Sequence, residues 1–351
     1  QRTNRKGNQP VNQKVVTFGE IMLRLKSPGY ERFFQSPALE ATFGGSEANV
    51  SVSLANYGMD ARFVTRLPEH EIGQSAINAL RRYGVDTSFI ARGGSRVGIY
   101  FLEKGASQRP SKVIYDRSAS SIATASETDF DWDAIFEGAS WFHFTGITPA
   151  LGGEMADICL TACKKAKEKQ LTVSCDLNYR KKLWSREEAS QVMGRLCQYV
   201  DVCIANEEDA QDVFGIHASN TDVNAGQVSH EGYKEVASQL AERFGFRMVA
   251  ITLRESLSAS DNLWAAMLYD GNEYYFSQKY SMHIVDRVGG GDSFGGGLIF
   301  SLLENVPPQE AVDYAVAASC LKHTIEGDFN LVSPDEVRSL AAGNASGRVQ
   351  R

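Results

Sequence analysis

The chain reads Asp286-Arg287-Val288-Gly289-Gly290-Gly291-Asp292-Ser293-Phe294-Gly295-Gly296-Gly297 directly after the strand-like run Tyr280–Val285. Three consecutive glycines leave backbone N–H groups unshielded, and a helix-like run from Asp292 to Leu303 follows them. Because a helix N-terminus combines free N–H groups with the positive end of the helix dipole, this turn favours anion binding. A carboxylate there suits a base that deprotonates a hydroxyl beside a phosphate. The alternative is a glycine-rich turn in which Asp292 only caps the helix.

Length and composition fit an ordinary soluble enzyme. The 351 residues are 43% hydrophobic, enough to bury a large core, and one large domain with a small appendage fits them well. The net charge of −7 gives no basic field for nucleic acid or an anionic membrane. No apolar run approaches the roughly 18 residues of a membrane helix. We therefore expect neither nucleic-acid nor membrane partners.

The cysteines indicate a reducing environment. Their spacings contain no C-x-x-C pair, which argues against a zinc site or a redox pair. Most of them lie in apolar segments, where a reduced cysteine acts as a small core residue. We therefore expect a cytoplasmic protein. The six cysteines are Cys159, Cys163, Cys175, Cys197, Cys203 and Cys320.

Short apolar runs of strand length alternate with helical stretches along most of the chain. The strand-like runs are Val15–Ile21, Ala61–Leu67, Trp141–Thr145, Thr172–Asp176, Val202–Ala205 and Met248–Thr252. The helical stretches are Glu47–Tyr57, Gly73–Tyr83, Gly153–Lys169, Glu187–Gln198, Tyr233–Phe244 and Pro308–Thr324. This alternation predicts an α/β protein with a mostly parallel sheet covered on both faces. Ligands of such sheets bind at the carboxyl ends of the strands, where we expect Asp176, Asn206, Thr252 and Asp292.

Two regions interrupt the alternation. Leu23–Phe43 and Val97–Arg117 lack helical periodicity and carry alternating apolar residues. They are interpreted as antiparallel strands that are far apart in sequence. A peripheral β-meander without a role in ligand binding is the alternative.

The glycine-rich stretch resembles the D-T-x-G-A-G-D motif of the PfkB (ribokinase-like) carbohydrate kinases. Arg287 stands where threonine is usual and Gly290 where alanine is usual, whereas Asp292 and its flanking glycines are retained. A second family motif, a Gly-Gly pair near the N-terminus, is present as Gly44-Gly45. The resemblance implies a three-layer α/β/α kinase domain at residues 15–342, with a β-lid from about 23–43 and 97–117. Residues 1–14 and 343–351 are then tails, the first of them disordered or foreign to the domain.

Within the family, the chain most resembles 2-keto-3-deoxygluconate kinases. The resemblance implies that Asp292 is the base, that the amides of Gly289–Gly291 form the anion hole, and that Arg180 assists. Fructokinases share part of this pattern and remain an alternative, as does a non-catalytic sugar-binding sensor. The residues expected to hold the sugar acid are Gly44, Gly45, Asn49, Tyr100, Tyr115, Arg117, Asn178, Arg180, Asp292 and Asp328.

The nucleotide side is expected to bind ATP and Mg²⁺. Asn206 with Asp209 resembles the family's N-x-x-E element, although the fourth position is shorter by one methylene, and Glu208 is a second candidate metal ligand. Thr252 and Arg254 stand where the family often has T-L-G, so a side chain replaces the first glycine. We expect Asn206, Thr252, Arg254, Gly289 and Gly291 to contact the nucleotide. Whether a monovalent cation is also needed stays open.

Other α/β enzymes are disfavoured by the motifs. No G-x-G-x-x-G follows the first predicted strand, and no G-x-x-x-x-G-K-[ST] occurs, so neither a dinucleotide-dependent oxidoreductase nor a P-loop ATPase is indicated.

The resemblance further implies a homo-oligomer that packs through the β-lid, because an exposed apolar sheet is otherwise an aggregation hazard.

Overall fold

The structure, a computed structural model, describes residues 13–219 and 230–349. Of the predicted N-terminal tail, residues 1–12 lie outside the described residues, and Lys14 already belongs to the first strand.

The described strands number fifteen. They are β1 (Lys14–Phe18), β2 (Met22–Lys26), β3 (Glu40–Gly44), β4 (Asp60–Val64), β5 (Arg66–Leu67), β6 (Ala91–Arg92), β7 (Ile99–Glu103), β8 (Lys112–Asp116), β9 (Ala139–Thr145), β10 (Thr172–Asp176), β11 (Val202–Ala205), β12 (Met248–Ser256), β13 (Asp261–Tyr269), β14 (Tyr274–Phe276) and β15 (Tyr280–His283).

The α-helices of the described ranges number ten. They are α1 (Ser46–Asn56), α2 (Glu71–Arg81), α3 (Trp132–Ile135), α4 (Met155–Glu168), α5 (Arg186–Leu196), α6 (Glu207–Phe214), α7 (His230–Phe244), α8 (Gly290–Leu303), α9 (Pro308–Lys322) and α10 (Pro334–Ala341). None of them is long and apolar enough to cross a membrane.

The main sheet confirms the predicted α/β architecture. Its strands follow the order β14-β13-β12-β11-β10-β9-β1-β4, with β15 also pairing β13. Within this sheet β12, β11, β10, β9, β1 and β4 run parallel. The strands β13, β14 and β15 add antiparallel pairs at one edge. Neighbouring residues along a central strand enter different cores: Phe142 and Phe144 pack on one face, and Trp141 packs on the other. Helices therefore cover both faces, which gives three layers.

One strand extends further than expected. The sequence predicts that β12 ends at Thr252, but it continues to Ser256 because it pairs antiparallel with β13 along its whole length. Thr252 therefore lies inside a strand and not after one. Asp292 likewise does not directly follow a strand, since it lies in the first turn of α8.

A separate four-stranded sheet forms from the two regions that interrupt the alternation. Its order is β3-β2-β7-β8, and each region supplies one antiparallel pair. The two regions meet through β2 and β7, which pair in parallel. The expectation of antiparallel strands is therefore correct within each region and wrong for the contact between them. This sheet is called the lid sheet below.

Candidate active site

One cavity of about 660 Å³ opens between the lid sheet and the carboxyl ends of the parallel strands. It collects nearly all of the residues that the sequence singles out. Gly44 is the exception, because it packs behind the cavity wall, where an added Cβ would lie 2.1 Å from Asp328 Oδ2. The predicted residues that line the cavity are Gly45, Asn49, Tyr100, Tyr115, Arg117, Asp176, Asn178, Arg180, Asn206, Glu208, Asp209, Thr252, Arg254, Gly289, Gly290, Gly291, Asp292 and Asp328.

Asp292 is held in one orientation by two residues of α1. Ser46 Oγ donates to Asp292 Oδ1 at 2.6 Å, and Asn49 Nδ2 donates to Asp292 Oδ2 at 2.8 Å. Burial raises the pKa of Asp292, and the two hydrogen bonds act in the opposite direction. The carboxylate therefore faces the cavity in a fixed position, with a proton affinity above that of an exposed aspartate.

The three glycines before Asp292 have different roles in the turn. Gly289 has φ +84°, and a Cβ there would lie 2.1 Å from the carbonyl oxygen of Asp328. A Cβ on Gly290 would lie 2.4 Å from the His323 ring, whereas Gly291 has open space on that side. The turn is thus packed from behind and open in front. All three glycines line the cavity at the start of α8, where the N-terminal amides of a helix favour an anion, and Gly290 N also donates to the Arg287 carbonyl oxygen at 3.3 Å.

A buried polar network supports this turn. Arg24 on β2 donates through Nη1 to Asp328 Oδ1 at 2.9 Å and through Nη2 to Asp286. Tyr100 donates to the same carboxylate of Asp328, and Asn49 Nδ2 reaches its other oxygen at 3.2 Å. Arg24, Asp286 and Asp328 are each at most 4% exposed. Their charges are therefore neutralised by one another and not by solvent. Sequence reasoning missed Arg24, whose position in a lid strand gave no signal.

Two arginines, Arg117 and Arg180, line the cavity. Arg117 directly follows β8, and its Nη2 lies 3.4 Å from Glu20 Oε2. Its guanidinium is 5.2 Å from the centroid of the Tyr115 ring. Burial raises the pKa of Glu20, and Arg117 partly offsets this. Glu20 Oε1 and Arg117 Nε are buried without a partner among the described residues. This corner therefore has unused hydrogen-bonding capacity next to the cavity.

Arg180 enters from the loop after β10. It is exposed to the cavity, and its charge lowers the pKa values of Asp176, Asp209 and Asp292, against the larger effect of burial. Asn178, two residues before it, has φ +37°, a conformation that costs a non-glycine residue energy. The loop thus turns sharply at Asn178 and places an arginine among three carboxylates.

Glu47 is a second carboxyl in the first turn of α1, and sequence reasoning gave it no role. Its Oε1 accepts from Thr145 N at 3.0 Å, Thr145 Oγ1 at 2.8 Å and Thr148 Oγ1 at 2.6 Å. Burial raises the pKa of Glu47 to about 7, despite these hydrogen bonds. The side chain ties α1 to the end of β9 and so fixes the helix that orients Asp292.

The far end of the cavity is strongly basic. Arg254 projects from β12, with its guanidinium 4.4 Å from the Trp264 ring centroid and Nη2 3.3 Å from His323 Nε2. His323 Nδ1 lies 2.6 Å from the Ser319 carbonyl oxygen, which can only accept, so Nδ1 carries the proton and Nε2 accepts from Arg254. Arg287 also lines this end and lowers the pKa of Arg254, after the larger effect of burial.

The carboxylates near Asn206 fit a metal ion that is held mainly by the phosphates of a bound substrate. Asn206 caps α6 by accepting from Asp209 N at 2.7 Å, and Asp209 Oδ1 accepts from Tyr179 N at 3.0 Å. Burial raises the pKa of Asp209 to about 6. Within the described ranges, no group of three or more histidine, cysteine or acidic side chains could hold a metal. Mg²⁺ commonly keeps waters and takes one or two carboxylates together with substrate phosphates, so Asp209 and Glu208 fit such a site.

The fold and this cavity define an α/β phosphotransferase of the ribokinase-like type. Residues 12–333 match the pfkB family of carbohydrate kinases, which is nearly the whole chain. The chain therefore belongs to this family of sugar kinases.

Individual relatives show which members of the family this chain is similar to. The crystal structure of 2-dehydro-3-deoxygluconokinase from Thermotoga maritima superposes with a TM-score of 0.91 at 52% identity, covering 95% of this chain and 99% of that one. A 2-dehydro-3-deoxygalactonokinase from Haloferax volcanii is 33% identical over 95% of this chain and 98% of its own. An E. coli structure solved with ATP and Mg²⁺, of a protein assigned as ribokinase II, has a TM-score of 0.78. At 19% identity over 94% of this chain and 99% of that one, it shows a common fold.

Proposed function

We propose that this protein transfers the γ-phosphoryl group of ATP to the primary hydroxyl of a 2-keto-3-deoxy sugar acid. The preferred substrate is 2-keto-3-deoxygluconate (2-dehydro-3-deoxygluconate), which becomes its 6-phosphate. The observation that carries the proposal is the oriented carboxylate of Asp292 beside the glycine turn, in a cavity that Arg117 and Arg180 also line. The similarity to the T. maritima kinase supports the same substrate.

In the proposed mechanism, Asp292 accepts the proton of the sugar hydroxyl as that oxygen attacks the γ-phosphorus. The new O–P bond forms while the bond to the β,γ-bridging oxygen breaks, and ADP carries that electron pair away. Amides of Gly289–Gly291 stabilise the charge on the transferring oxygens, with assistance from Arg180. Ser46 and Asn49 hold Asp292 towards the attacking oxygen, which is a positioning contribution.

The acid end of the sugar is assigned to Arg117 and Arg180. A guanidinium binds a carboxylate through two parallel hydrogen bonds, and the unpartnered Nε of Arg117 leaves capacity for such a ligand. The hydroxyls are assigned to polar groups around the same space. These are Gly45, Asn49, Tyr100, Tyr115, Asn178 and Asp328.

The nucleotide is assigned to the basic end. Arg254 and Arg287 would contact the β- and γ-phosphates, because the nearby charge of Arg287 disfavours that of Arg254 and an anion beside them relieves this effect. Thr252 and Asn206 would border the same phosphates. Mg²⁺ would be held by those phosphates, by water and by Asp209 and Glu208; when bound, it neutralises charge on the phosphoryl oxygens.

The lid sheet is proposed to pack against a second copy of the chain. Its strand β8 exposes Ile114 at 51%, and the loop between β2 and β3 exposes Phe34 at 92% and Tyr30 at 50%. Light scattering after size exclusion should show an oligomer that Ile114→Glu dissociates. Ile72→Glu, at a comparably exposed apolar residue on α2 and outside the lid sheet, is the control. A monomer in both the parent and the variants would contradict the proposal.

A cytoplasmic location and a single kinase domain at residues 15–342 belong to the same proposal. Six free cysteines, of which five are buried, support the cytoplasmic location. The single domain is supported by the continuous sheet in which β12, β11, β10, β9, β1 and β4 are neighbours.

The decisive experiment measures ADP release from Mg-ATP with 2-keto-3-deoxygluconate, its galactonate isomer and fructose. We expect kcat/KM to favour a keto-deoxy acid over fructose by about tenfold or more, the value of one charge-assisted contact. Arg117→Lys keeps the charge that Glu20 needs but loses the planar guanidinium. It should therefore lower kcat/KM for the keto-deoxy acids and leave kcat/KM for fructose unchanged. Arg195→Ala, an exposed arginine outside the cavity, is the control. A preference for fructose would favour the fructokinase alternative, and no turnover with any sugar would favour a sensor.

A further inference from the structure

A fully buried lysine lies directly behind the glycine turn. Lys322 is the last residue of α9 and has no exposed surface. A Cβ added to Gly289 would lie 3.4 Å from Lys322 Cε, so the side chain packs against the back of the anion site. The mechanism described above leaves this group without a role.

The ammonium of Lys322 bonds to main-chain carbonyls. Nζ donates to the carbonyl oxygen of Ile325 at 2.9 Å and to that of Asp286 at 3.4 Å. Asp286 begins the turn that leads to Asp292, and Ile325 begins the loop that leads to Asp328. One ammonium thus joins the two loops that bring the catalytic carboxylate and the Asp328 network together.

Charge is balanced around this lysine. Arg24 and Lys322 are two buried cations, and Asp286 and Asp328 are two buried carboxylates. Burial lowers the pKa of Lys322, while Asp286 and Asp328 act in the opposite direction. Although burial alone raises the pKa of Asp286, Arg24 and Lys322 bring it below its ordinary value. The end of α9 also favours a cation, because helix C-termini carry partial negative charge.

A protein site for K⁺ or NH₄⁺ consists of carbonyl oxygens that surround the compact positive charge of the ion. A lysine ammonium is such a charge on a flexible stem. Here the carbonyls of Asp286 and Ile325 already accept from Lys322, and a second cation at this place would be repelled by both Lys322 and Arg24. The residues therefore do not fit a monovalent metal ion behind the anion site.

We propose that the Lys322 ammonium is a built-in monovalent cation that supports the Gly289–Gly291 turn, so that turnover needs no added K⁺ or NH₄⁺. Lys322 is a positioning residue, since it acts through the turn and does not touch substrate. The inference rests on the proposed function, because turnover is its main readout.

The test compares the parent with Lys322→Ala, in which the lost side chain leaves space for an ion. ADP release is measured with KCl, NH₄Cl or tetramethylammonium chloride at constant ionic strength. The parent should vary by less than about twofold among the salts, whereas Lys322→Ala should lose about tenfold or more in kcat in tetramethylammonium. NH₄⁺ and K⁺ should restore the variant along a saturable curve. Lys26→Ala, which removes another largely buried ammonium bound to a carbonyl, should show no such rescue.

Each contrary result is distinct. Saturable activation of the parent by K⁺ would overturn the proposal, and so would full activity of Lys322→Ala in tetramethylammonium or a folded variant that no small cation restores. If Lys322→Ala does not fold, Lys322→Met removes the charge and fills its space, so it should lose kcat in every salt; full activity of Lys322→Met would overturn the proposal, and the ion dependence of the parent is tested as before. If the parent has no turnover with any sugar acid, the proposed function fails separately. Thermal unfolding then tests the cation site: K⁺ and NH₄⁺ should raise the Tm of Lys322→Ala and leave the parent unchanged.

Discussion

The two ends of the cavity are built on different physical principles. At the end that is proposed to bind the sugar, the carboxylates of Asp292 and Asp328 are each fixed by hydrogen bonds from neighbouring side chains. At the nucleotide end, Arg254 stacks on an aromatic ring and Arg287 adds a second positive charge. The proposed sugar end is therefore a preorganised polar network, whereas the proposed nucleotide end is a cluster of positive charge that favours an anion. Substitutions at the two ends should consequently fail in different ways.

The largest effect is expected at Asp292. Asp292→Asn keeps the shape and removes the base, so kcat should fall by more than about 100-fold, the lower range for a positioned base. Sugar binding should persist, since Ser46 and Asn49 remain. Steady-state ADP release and calorimetric binding measure the two quantities. Asp157→Asn changes an exposed aspartate in the first turn of α4 and is the matched control. Turnover within tenfold of the parent would contradict the base assignment.

Next in size is the buried network behind the turn. Asp328→Ala leaves Arg24 and Tyr100 without a shared acceptor, and breaking a buried ion pair in this way costs about 3 kcal/mol or more. Chemical denaturation should show that loss in the free energy of unfolding. Asp335→Ala, at an aspartate paired only on the surface of α10, should change it by less than about 1 kcal/mol. Equal losses for the two variants would mean that the network does not stabilise the fold.

A smaller effect links Glu47 to pH. Its pKa rises from 4.5 to about 7 on folding, so the folded state binds the proton more tightly. The associated stability is fully present below pH 4.5 and is lost as pH rises through 7, on the order of 3 kcal/mol in all. Glu47→Gln keeps an oxygen acceptor for Thr145 and Thr148 and cannot ionise. Unfolding measured from pH 5 to pH 8 should therefore show a shallower decline in the variant; identical slopes would exclude Glu47 as the source.

The contrast between the ends also explains what could be predicted from sequence. The carboxyl ends of parallel strands meet at one edge, so Asp176 and Asn206 could be placed near one another from strand order alone. The glycine turn could be recognised because its backbone requirements are local. Arg24 could not be found, since its partner Asp328 lies 304 positions away and only the packed lid brings them together. Glu47 and Lys322 were missed for a related reason: each lies on a helix whose pattern does not tell which buried carbonyl or hydroxyl it meets.

The antiparallel edge of the sheet was also unforeseen. Arg254 and Glu255 are polar, so the sequence predicts that β12 ends before them, yet pairing with β13 extends the strand beyond both. That extension has a consequence for the site, because it is what holds Arg254 at the basic end of the cavity and not in a mobile loop.

The smallest effect follows from that placement. Arg254→Ala should raise KM for ATP by about tenfold, roughly the value of one charge-assisted contact, and leave kcat and sugar KM nearly unchanged. Arg254→Lys keeps a charge without the planar stack on Trp264 and should recover part of the loss. Because the contact is electrostatic, the ratio of parent to variant should shrink as salt rises. Arg247→Ala, one residue before β12 and outside the cavity lining, is the control. If Arg254→Ala lowered kcat as much as Asp292→Asn does, the nucleotide end would be part of the preorganised machinery and the distinction between the two ends would fail.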